Sequence, residues 1–225
     1  MLKTYIKESH QPAQACVIWL HGLGADATNM MGVANAFPES VLPIRHVFVD
    51  APLRPVTLNN HMTMRAWYDI TGLTLDDRED KKGILQTEQM ISEVIAAQVA
   101  KGFTLNQIYL AGFSQGGAMA LFTAMRTRER LGGVLALSSY LPLQAECTQG
   151  DQLALPIFIA AGSLDQVVSP NWTKLSYDFV KARGFTQVTW KEYRMEHSIS
   201  MEELNDIGHW LKKHITLAAV QGEIR

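Results

Sequence analysis

The sequence predicts an α/β fold with a mostly parallel central sheet and helices on both faces. Short apolar runs alternate with longer amphipathic stretches along the chain, and such a β-α-β-α order favours a parallel sheet. The middle runs are almost continuously aliphatic, as strands covered on both faces are. With 225 residues, 47% of them hydrophobic, and no apparent boundary, we expect one domain spanning residues 1–225.

Six apolar runs predict the strands of this sheet. They cover residues 15–20, 46–50, 107–111, 133–137, 156–161 and 187–193. The last run alternates Val188, Trp190 and Glu192, which is typical of a strand nearer an edge of the sheet.

Four amphipathic stretches between these runs predict helices. They cover residues 84–100, 115–126, 171–183 and 200–214. The third follows Pro170 and precedes Gly184, which are residue types favoured at the start of a helix and just past its end. The fourth opens with Ser-Met-Glu-Glu, a capping-box pattern.

The stretch from residue 51 to residue 82 does not fit this alternation. It has little periodicity, several prolines, and a charge cluster over residues 76–82 that we interpret as solvated. A loop of this length inside a compact domain is usually functional. We therefore expect it to line or cover a site.

A candidate nucleophile lies at a predicted strand-to-helix turn. The residues Gly112-Phe113-Ser114-Gln115-Gly116 match G-x-S-x-G, in which the serine takes a strained conformation that exposes its hydroxyl above the strand end. Side chains two residues before and after the serine would collide across that turn, which explains the glycines. The alternative is a glycine-rich helix start that only packs closely against a strand.

A serine hydroxyl needs a base within hydrogen-bond reach, and that base needs an orienting group. In a fold of this kind the acid and then the histidine follow the serine along the chain. Asp165 follows the strand predicted at 156–161, and His197 follows the strand predicted at 187–193. Because parallel strands end at one edge of a sheet, we expect Ser114, Asp165 and His197 to lie together there.

Other acids and histidines are placed less well for these roles. Asp178 falls inside a predicted helix, and Asp151 precedes its strand. His209 and His214 lie on the terminal helix, where we expect partly exposed surface histidines. For His197 itself, the alternative is a loop histidine that caps the following helix.

Two backbone N–H groups are candidates for binding the oxyanion of an acyl-transfer reaction. One is that of Gln115, the residue after the candidate nucleophile. The other is that of Leu23, since the flanking Gly22 and Gly24 free it to point into the site. The alternative is that His21-Gly22-Leu23-Gly24 forms only a tight turn.

Composition argues against several classes of function. The formal net charge is −2 and no basic run stands out, so we expect no nucleic-acid partner. The N-terminus lacks an apolar signal segment, and the apolar runs are too short for stable membrane insertion. Of the two cysteines, we expect Cys16 in the core and Cys147 in a polar loop, which favours a cytoplasmic location. No clustered ligands suggest a metal.

Five motifs follow one another along the chain. They are HGLGAD at residues 21–26, RAWYD at 65–69, GFSQGGAMAL at 112–121, GSLDQVV at 162–168 and EHSIS at 196–200. Together, over nearly the whole chain, they resemble the phospholipase/carboxylesterase family, which includes small bacterial carboxylesterases and acyl-protein thioesterases.

This resemblance implies a minimal α/β-hydrolase fold without a large cap domain, and hydrolysis of carboxylic esters or thioesters without a metal or organic cofactor. By position, Ser114 resembles the family nucleophile, His197 the base and Asp165 the orienting acid. The backbone N–H groups of Leu23 and Gln115 resemble the oxyanion-hole donors.

The resemblance also bears on substrate and assembly. Trp67 matches a position that shapes the acyl groove, and Met64 would share that groove, although a core tryptophan and a core-filling methionine are the alternatives. Small acyl esters or thioesters, lipid-like substrates and acylated proteins are the expected partners, and a homodimer is plausible. The alternative functions for a chain with this fold are lysophospholipase activity, peptidase activity or that of a non-catalytic binding module. VVSP at residues 167–170 and ADATNM at 25–30 depart from the usual motifs of the family. The sequence therefore does not determine the shape of these two loops or the substrate preference that depends on it.

Overall fold

A seven-stranded sheet forms the centre of the computed structural model, which describes residues 2–37, 42–72, 74–75, 79–147 and 152–222, with side chains to residue 217. The seven strands are β1 (Lys3–Lys7), β2 (Ala15–Leu20), β3 (Ile44–Asp50), β6 (Ile108–Phe113), β7 (Gly133–Leu137), β8 (Ile157–Gly162) and β9 (Val188–Tyr193). Their order in the sheet is β1-β3-β2-β6-β7-β8-β9, and every neighbouring pair is parallel except β1 with β3. The predicted α/β class with a mostly parallel sheet is confirmed.

Helices cover both faces of the sheet. They are α1 (Ala27–Ala34), α2 (Lys81–Val99), α3 (Gln115–Arg126), α4 (Pro170–Ala182) and α5 (Met201–Gly222). The four predicted helices are confirmed, with α5 running longer than expected. The short helix α1 was not predicted, although Asp26 and Asn29 form a capping box at its start.

The core consists of two layers, one on each face of the sheet. The side chains of β2 show the alternation, since Cys16, Ile18 and Leu20 pack in one layer with residues of α2, α3 and α4. Val17 and Trp19 pack in the other layer with residues of α1 and α5. All six residues of β2 are fully buried, as expected for a central parallel strand covered on both faces.

The unpatterned stretch contains a second, two-stranded sheet. Strands β4 (Leu53–Val56) and β5 (Met62–Arg65) pair as an antiparallel hairpin, joined through a short 3-10 turn over Thr57–Asn59. Part of the charge cluster at 76–82 lies outside the described residues. The hairpin is short and largely exposed, so it lacks the apolar run that identified the central strands.

Two burial expectations need correction. Cys147, expected in a polar loop, is buried at the end of a 3-10 turn. His214 is also buried, because α5 turns it onto Trp210, with ring centroids 4.5 Å apart. Within the described part of the chain, no helix combines the length and apolar character required to cross a membrane.

Candidate active site

The turn between β6 and α3 holds Ser114 in a backbone conformation that L-residues rarely adopt. Its φ is 54° and its ψ is −122°. A Cβ on Gly112 would lie 2.3 Å from the carbonyl carbon of Gly116, so a side chain there would collide across the turn, as predicted. A Cβ on Gly116 would lie 2.2 Å from the carbonyl oxygen of Leu20 at the end of β2. The two glycines therefore let the strand, the helix and the neighbouring strand approach closely while the serine side chain projects from the turn.

Three side chains from three separate strand ends meet at this turn. His197 Nε2 lies 3.0 Å from Ser114 Oγ, and His197 Nδ1 lies 2.7 Å from Asp165 Oδ2. Because an ionised carboxylate only accepts hydrogen bonds, Nδ1 carries the ring proton and Nε2 presents a lone pair to the serine hydroxyl. The Phe113 ring lies 4.7 Å from the His197 ring, centroid to centroid, and packs against it.

The loop after β8 fixes the Asp165 carboxylate. Its Oδ1 accepts hydrogen bonds from the backbone N–H groups of Val167 at 2.8 Å and Val168 at 2.9 Å. The side chain is only 1% exposed. A Cβ on Gly162 would lie 2.5 Å from the carbonyl oxygen of Met195, so this glycine lets the end of β8 approach the histidine loop. The other carboxylate oxygen, Oδ2, is thereby held 2.7 Å from His197 Nδ1.

The competing acids and histidines have other surroundings. Asp178 forms an exposed ion pair within α4, and Asp151 lies outside the described residues. On α5, His209 is exposed, whereas His214 is buried against Trp210. Among the described residues, no group of three or more histidine, cysteine or carboxylate side chains is arranged to hold a metal ion.

The two backbone N–H groups expected to bind an oxyanion lie beside the serine. Leu23 and Gln115 both line the cavity that contains Ser114. Within the described part of the chain, neither N–H has a hydrogen-bond acceptor. A Cβ on Gly22 would lie 3.4 Å from Ser114 Cβ, so the loop of residues 21–24 passes close to the nucleophile turn. Both donors are therefore available to an oxygen bound next to Ser114.

His21 fixes the conformation of the 21–24 loop from inside the protein. Its Nε2 accepts a hydrogen bond from the Ala51 N–H at 3.0 Å, so its Nδ1 carries the proton and donates to the Gly22 carbonyl at 2.7 Å. Burial lowers the pKa of this completely buried histidine, partly opposed by the Gly22 carbonyl. The ring is thus neutral, and it connects the loop to the end of β3. The motif HGLG had identified the loop, but not this role of its histidine.

A mainly apolar cavity of about 200 Å³ opens beside Ser114. Four residues from the unpatterned stretch contribute to its wall, in agreement with the expectation that this stretch lines a site. The lining residues are Leu23, Leu58, Asn59, Tyr68, Ile70, Ser114, Gln115, Tyr140, Val167 and Val168. Tyr68 and Tyr140 share a hydrogen bond of 2.8 Å between their hydroxyl groups.

Trp67 and Met64 are not among the residues that line this cavity, and their expected contribution to an acyl groove stays a prediction. Trp67 is completely buried, and its indole N–H donates a hydrogen bond to the His21 carbonyl oxygen. Met64 is partly buried on the hairpin, with its sulfur near Gly24. Sequence reasoning also missed the lining residues Tyr140, Val167 and Val168. The two valines directly follow the candidate acid, a signal that could have identified them.

Comparison with known protein families gives one match over nearly the whole chain. A model of the family described as Phospholipase/Carboxylesterase matches residues 2–215. Among individual relatives, an acyl-protein thioesterase 1 of Yarrowia lipolytica is 36% identical over 212 residues, which cover 89% of this chain and 92% of that protein. An acyl-protein thioesterase 1 of Candida albicans is 34% identical and covers the same shares.

Solved structures with the same fold include two plant proteins. SOBER1 of Arabidopsis thaliana superposes with a TM-score of 0.84 at 29% identity, over 89% of this chain and 99% of that chain. Acyl-protein thioesterase 2 of Zea mays also has a TM-score of 0.84, at 24% identity, over 95% and 99% of the two chains. The fold is therefore that of the α/β-hydrolases, without a large cap among the described residues.

Proposed function

The chain belongs to the phospholipase/carboxylesterase family, and we propose that Ser114, His197 and Asp165 are the nucleophile, base and orienting acid of its active site. Membership of this family makes the chain a hydrolase of carboxylic esters or thioesters. The observation that carries the residue assignment is the unbroken chain of hydrogen bonds from Ser114 Oγ through His197 to the buried Asp165 carboxylate.

In the proposed reaction, His197 Nε2 takes the proton of Ser114 as its oxygen attacks the carbonyl carbon of the substrate. The carbonyl oxygen becomes an oxyanion, which the N–H groups of Leu23 and Gln115 stabilise. The Asp165 carboxylate stabilises the imidazolium that forms. The imidazolium then protonates the departing alcohol or thiol as the tetrahedral intermediate collapses to an acyl-enzyme. His197 then takes a proton from water, whose oxygen attacks the acyl carbon, and passes that proton to the Ser114 oxygen as the carboxylic acid leaves.

We propose acyl chains of short or medium length as the preferred substrates. The cavity beside Ser114 is mainly apolar, and its volume of about 200 Å³ is below the roughly 300–1,000 Å³ usual for sites of drug-sized ligands. Lining by Leu58, Ile70 and Val167 suits an acyl tail rather than a charged group. A long-chain acyl group on a protein is the second candidate, favoured by the relatives that are acyl-protein thioesterases.

Replacing the proposed nucleophile tests the mechanism. Ser114→Ala should lower kcat for p-nitrophenyl butyrate by about 10⁴-fold or more and abolish labelling by a fluorophosphonate, because it removes the hydroxyl that would carry the acyl group. Ser92→Ala, on the exposed face of α2, is the matched control and should retain both activities. Near-normal turnover in a folded Ser114→Ala variant would rule out the assignment.

The substrate proposal is tested by a profile over acyl length, with matched oxygen esters and thioesters from two to sixteen carbons. We expect kcat/KM to peak at short or medium chains and to fall once the tail exceeds the cavity. A peak at sixteen carbons, above all with a palmitoylated peptide thioester, would instead support the second candidate.

A further inference from the structure

Trp67 makes hydrogen bonds in two directions from a completely buried position. Its backbone N–H donates to Gln115 Oε1 at 2.8 Å, and its indole Nε1–H donates to the His21 carbonyl oxygen at 2.7 Å. Its own carbonyl accepts a hydrogen bond from the Thr87 hydroxyl on α2. The residue thus connects the nucleophile turn with the 21–24 loop and is itself held by a helix.

Gln115 completes the connection on the nucleophile side. Its side-chain Nε2 donates to the Tyr68 carbonyl at 2.8 Å, while its Oε1 accepts from Trp67 N–H. The side-chain amide therefore pairs with the backbone of two consecutive residues, as a neighbouring strand would. Because Gln115 directly follows Ser114, this pairing fixes the 67–68 segment relative to the first turn of α3.

The His21 carbonyl is the contact point on the other side. Its oxygen accepts the indole N–H and also packs against the nucleophile turn, since a Cβ on Gly116 would lie 2.5 Å from it. The orientation of this peptide group determines that of Gly22 and Leu23, the next two residues. A rotation of the His21 peptide would turn the Leu23 N–H away from the position of an oxyanion.

We propose that Trp67 is a positioning residue for the oxyanion hole, which fixes the Leu23 N–H relative to the Gln115 N–H through its bonds to His21 and Gln115. This inference rests on the proposed function, because it takes those two N–H groups as the oxyanion donors. Trp67 does not touch the reacting atoms. Its contribution is to keep both donors aligned before the oxyanion forms, which selectively stabilises the transition state.

The substitution Trp67→Phe removes the indole N–H and keeps a buried aromatic ring. Loss of an oxyanion donor costs about 10²–10³-fold, so we expect its misplacement to lower kcat by about 10- to 100-fold. KM should change by less than about 3-fold, since the cavity wall does not include this residue. The inhibition constant of a trifluoromethyl ketone, which forms a tetrahedral oxyanion adduct, should rise in proportion to the loss of kcat/KM.

Two other tryptophans supply matched controls. The indole nitrogen of Trp210 is buried and has no hydrogen-bond partner among the described residues, so Trp210→Phe should leave kcat unchanged. Trp19 Nε1 donates to His46 Nδ1 at 3.0 Å in the core layer on the opposite face of the sheet. Trp19→Phe should therefore lower the melting temperature but leave kcat and the ketone inhibition constant unchanged.

The outcomes separate this inference from the function on which it rests. An inactive Ser114→Ala beside a folded Trp67→Phe with wild-type kcat would overturn the positioning role alone. An active Ser114→Ala would overturn both proposals. If Trp67→Phe does not fold, Gln115→Met breaks the other link of the connection, the side-chain bonds from Gln115 to residues 67 and 68, and keeps the Gln115 backbone N–H. This variant should also lower kcat, and wild-type kcat in the folded variant would overturn the positioning role.

Discussion

Glu203 lies on α5, and its carboxyl group is completely buried. Its backbone N–H donates to Ser200 Oγ at 3.1 Å, in line with the predicted capping pattern, but neither carboxyl oxygen has a hydrogen-bond partner within the described residues. Burial raises the pKa of Glu203 from its usual 4.5 to about 8, partly opposed by the backbone of Ser200. At a pH between 4.5 and about 8, the Glu203 carboxyl group therefore keeps its proton in the folded protein and loses it in the unfolded chain. The free energy of unfolding should therefore decrease as the pH rises through this window, by up to about 1.4 kcal/mol per pH unit.

The variant Glu203→Gln should remove this pH dependence, because an amide cannot ionise in either state. We expect its stability relative to the wild type to increase from pH 5 to pH 8.5. Urea unfolding at a series of pH values measures the difference. Glu202→Gln, at the exposed neighbouring position, is the control and should follow the wild-type curve. Parallel curves for wild type and Glu203→Gln would contradict the assignment of a buried neutral carboxyl.

At the scale of elements, the sequence pattern predicted the strands that are buried on both faces, the amphipathic helices and the alternating strand β9, and it missed β1 and the hairpin. The strands β2, β6, β7 and β8 are continuous apolar runs, so their positions could be predicted within one or two residues. Strand β1 was not predicted, because its Lys-Thr-Tyr-Ile-Lys sequence is largely exposed and the strand depends on pairing with β3. The hairpin was not predicted for the same reason, since its stability comes from specific contacts rather than from an apolar run.

Those contacts fix the hairpin at both ends. At its base, Arg65 Nη2 lies 3.0 Å from Asp50 Oδ2, and the Arg65 carbonyl accepts the Gly24 N–H at 2.9 Å. At its turn, the Asp69 carboxylate accepts the backbone N–H of Thr57 at 2.7 Å and its hydroxyl at 2.6 Å. The turn therefore holds its neighbours 58 and 59 in the cavity wall.

Replacing Asp69 by alanine should release the turn of the hairpin. Loss of two hydrogen bonds to a carboxylate should cost about 1–3 kcal/mol locally, so amide hydrogen exchange should accelerate over residues 53–65 but not in β6 or α3. Because Leu58 and Asn59 lie in the cavity wall, KM should rise by about 3- to 10-fold, more than kcat falls. Thr63→Ala, on the exposed side of β5, is the control and should change neither the amide exchange rates of residues 53–65 nor KM. Unchanged exchange in Asp69→Ala would show that the base contacts alone hold the hairpin.

At the scale of the whole molecule, the candidate site depends on which strand ends share an edge of the sheet. The order of β6, β8 and β9 along the chain, each followed by a serine, an aspartate or a histidine, was enough to predict that Ser114, Asp165 and His197 could meet. Their catalytic roles remain a prediction until variants are measured. The bond between Trp67 and the His21 carbonyl joins residues 46 apart, and no periodicity encodes it. Contacts of that kind depend on how loops pack, which is why this hydrogen bond of Trp67 could not be predicted from the sequence.

The surrounding fold also holds Ser114 in a conformation that it would not adopt alone. A non-glycine residue in such a region of φ and ψ costs about 1–3 kcal/mol, and it persists only when the rest of the structure imposes it. Here the turn is imposed by β6, α3 and the end of β2, whose backbones approach so closely that Gly112 and Gly116 cannot carry a Cβ. The strain is therefore stored locally but sustained by the whole core.

Releasing this strain should stabilise the entire molecule. Ser114→Gly and Ser114→Ala both lack the hydroxyl, but only glycine adopts this conformation without strain. After its greater entropy in the unfolded chain is subtracted, glycine should be favoured by about 1 kcal/mol. For a chain of this size that difference corresponds to a Tm about 2–4 °C higher for Ser114→Gly than for Ser114→Ala, measured by calorimetry. At Ser92, within regular α2, the order should be reversed, since glycine is the poorer helix former. If Ser114→Ala were as stable as Ser114→Gly, or more stable, the turn would store no strain.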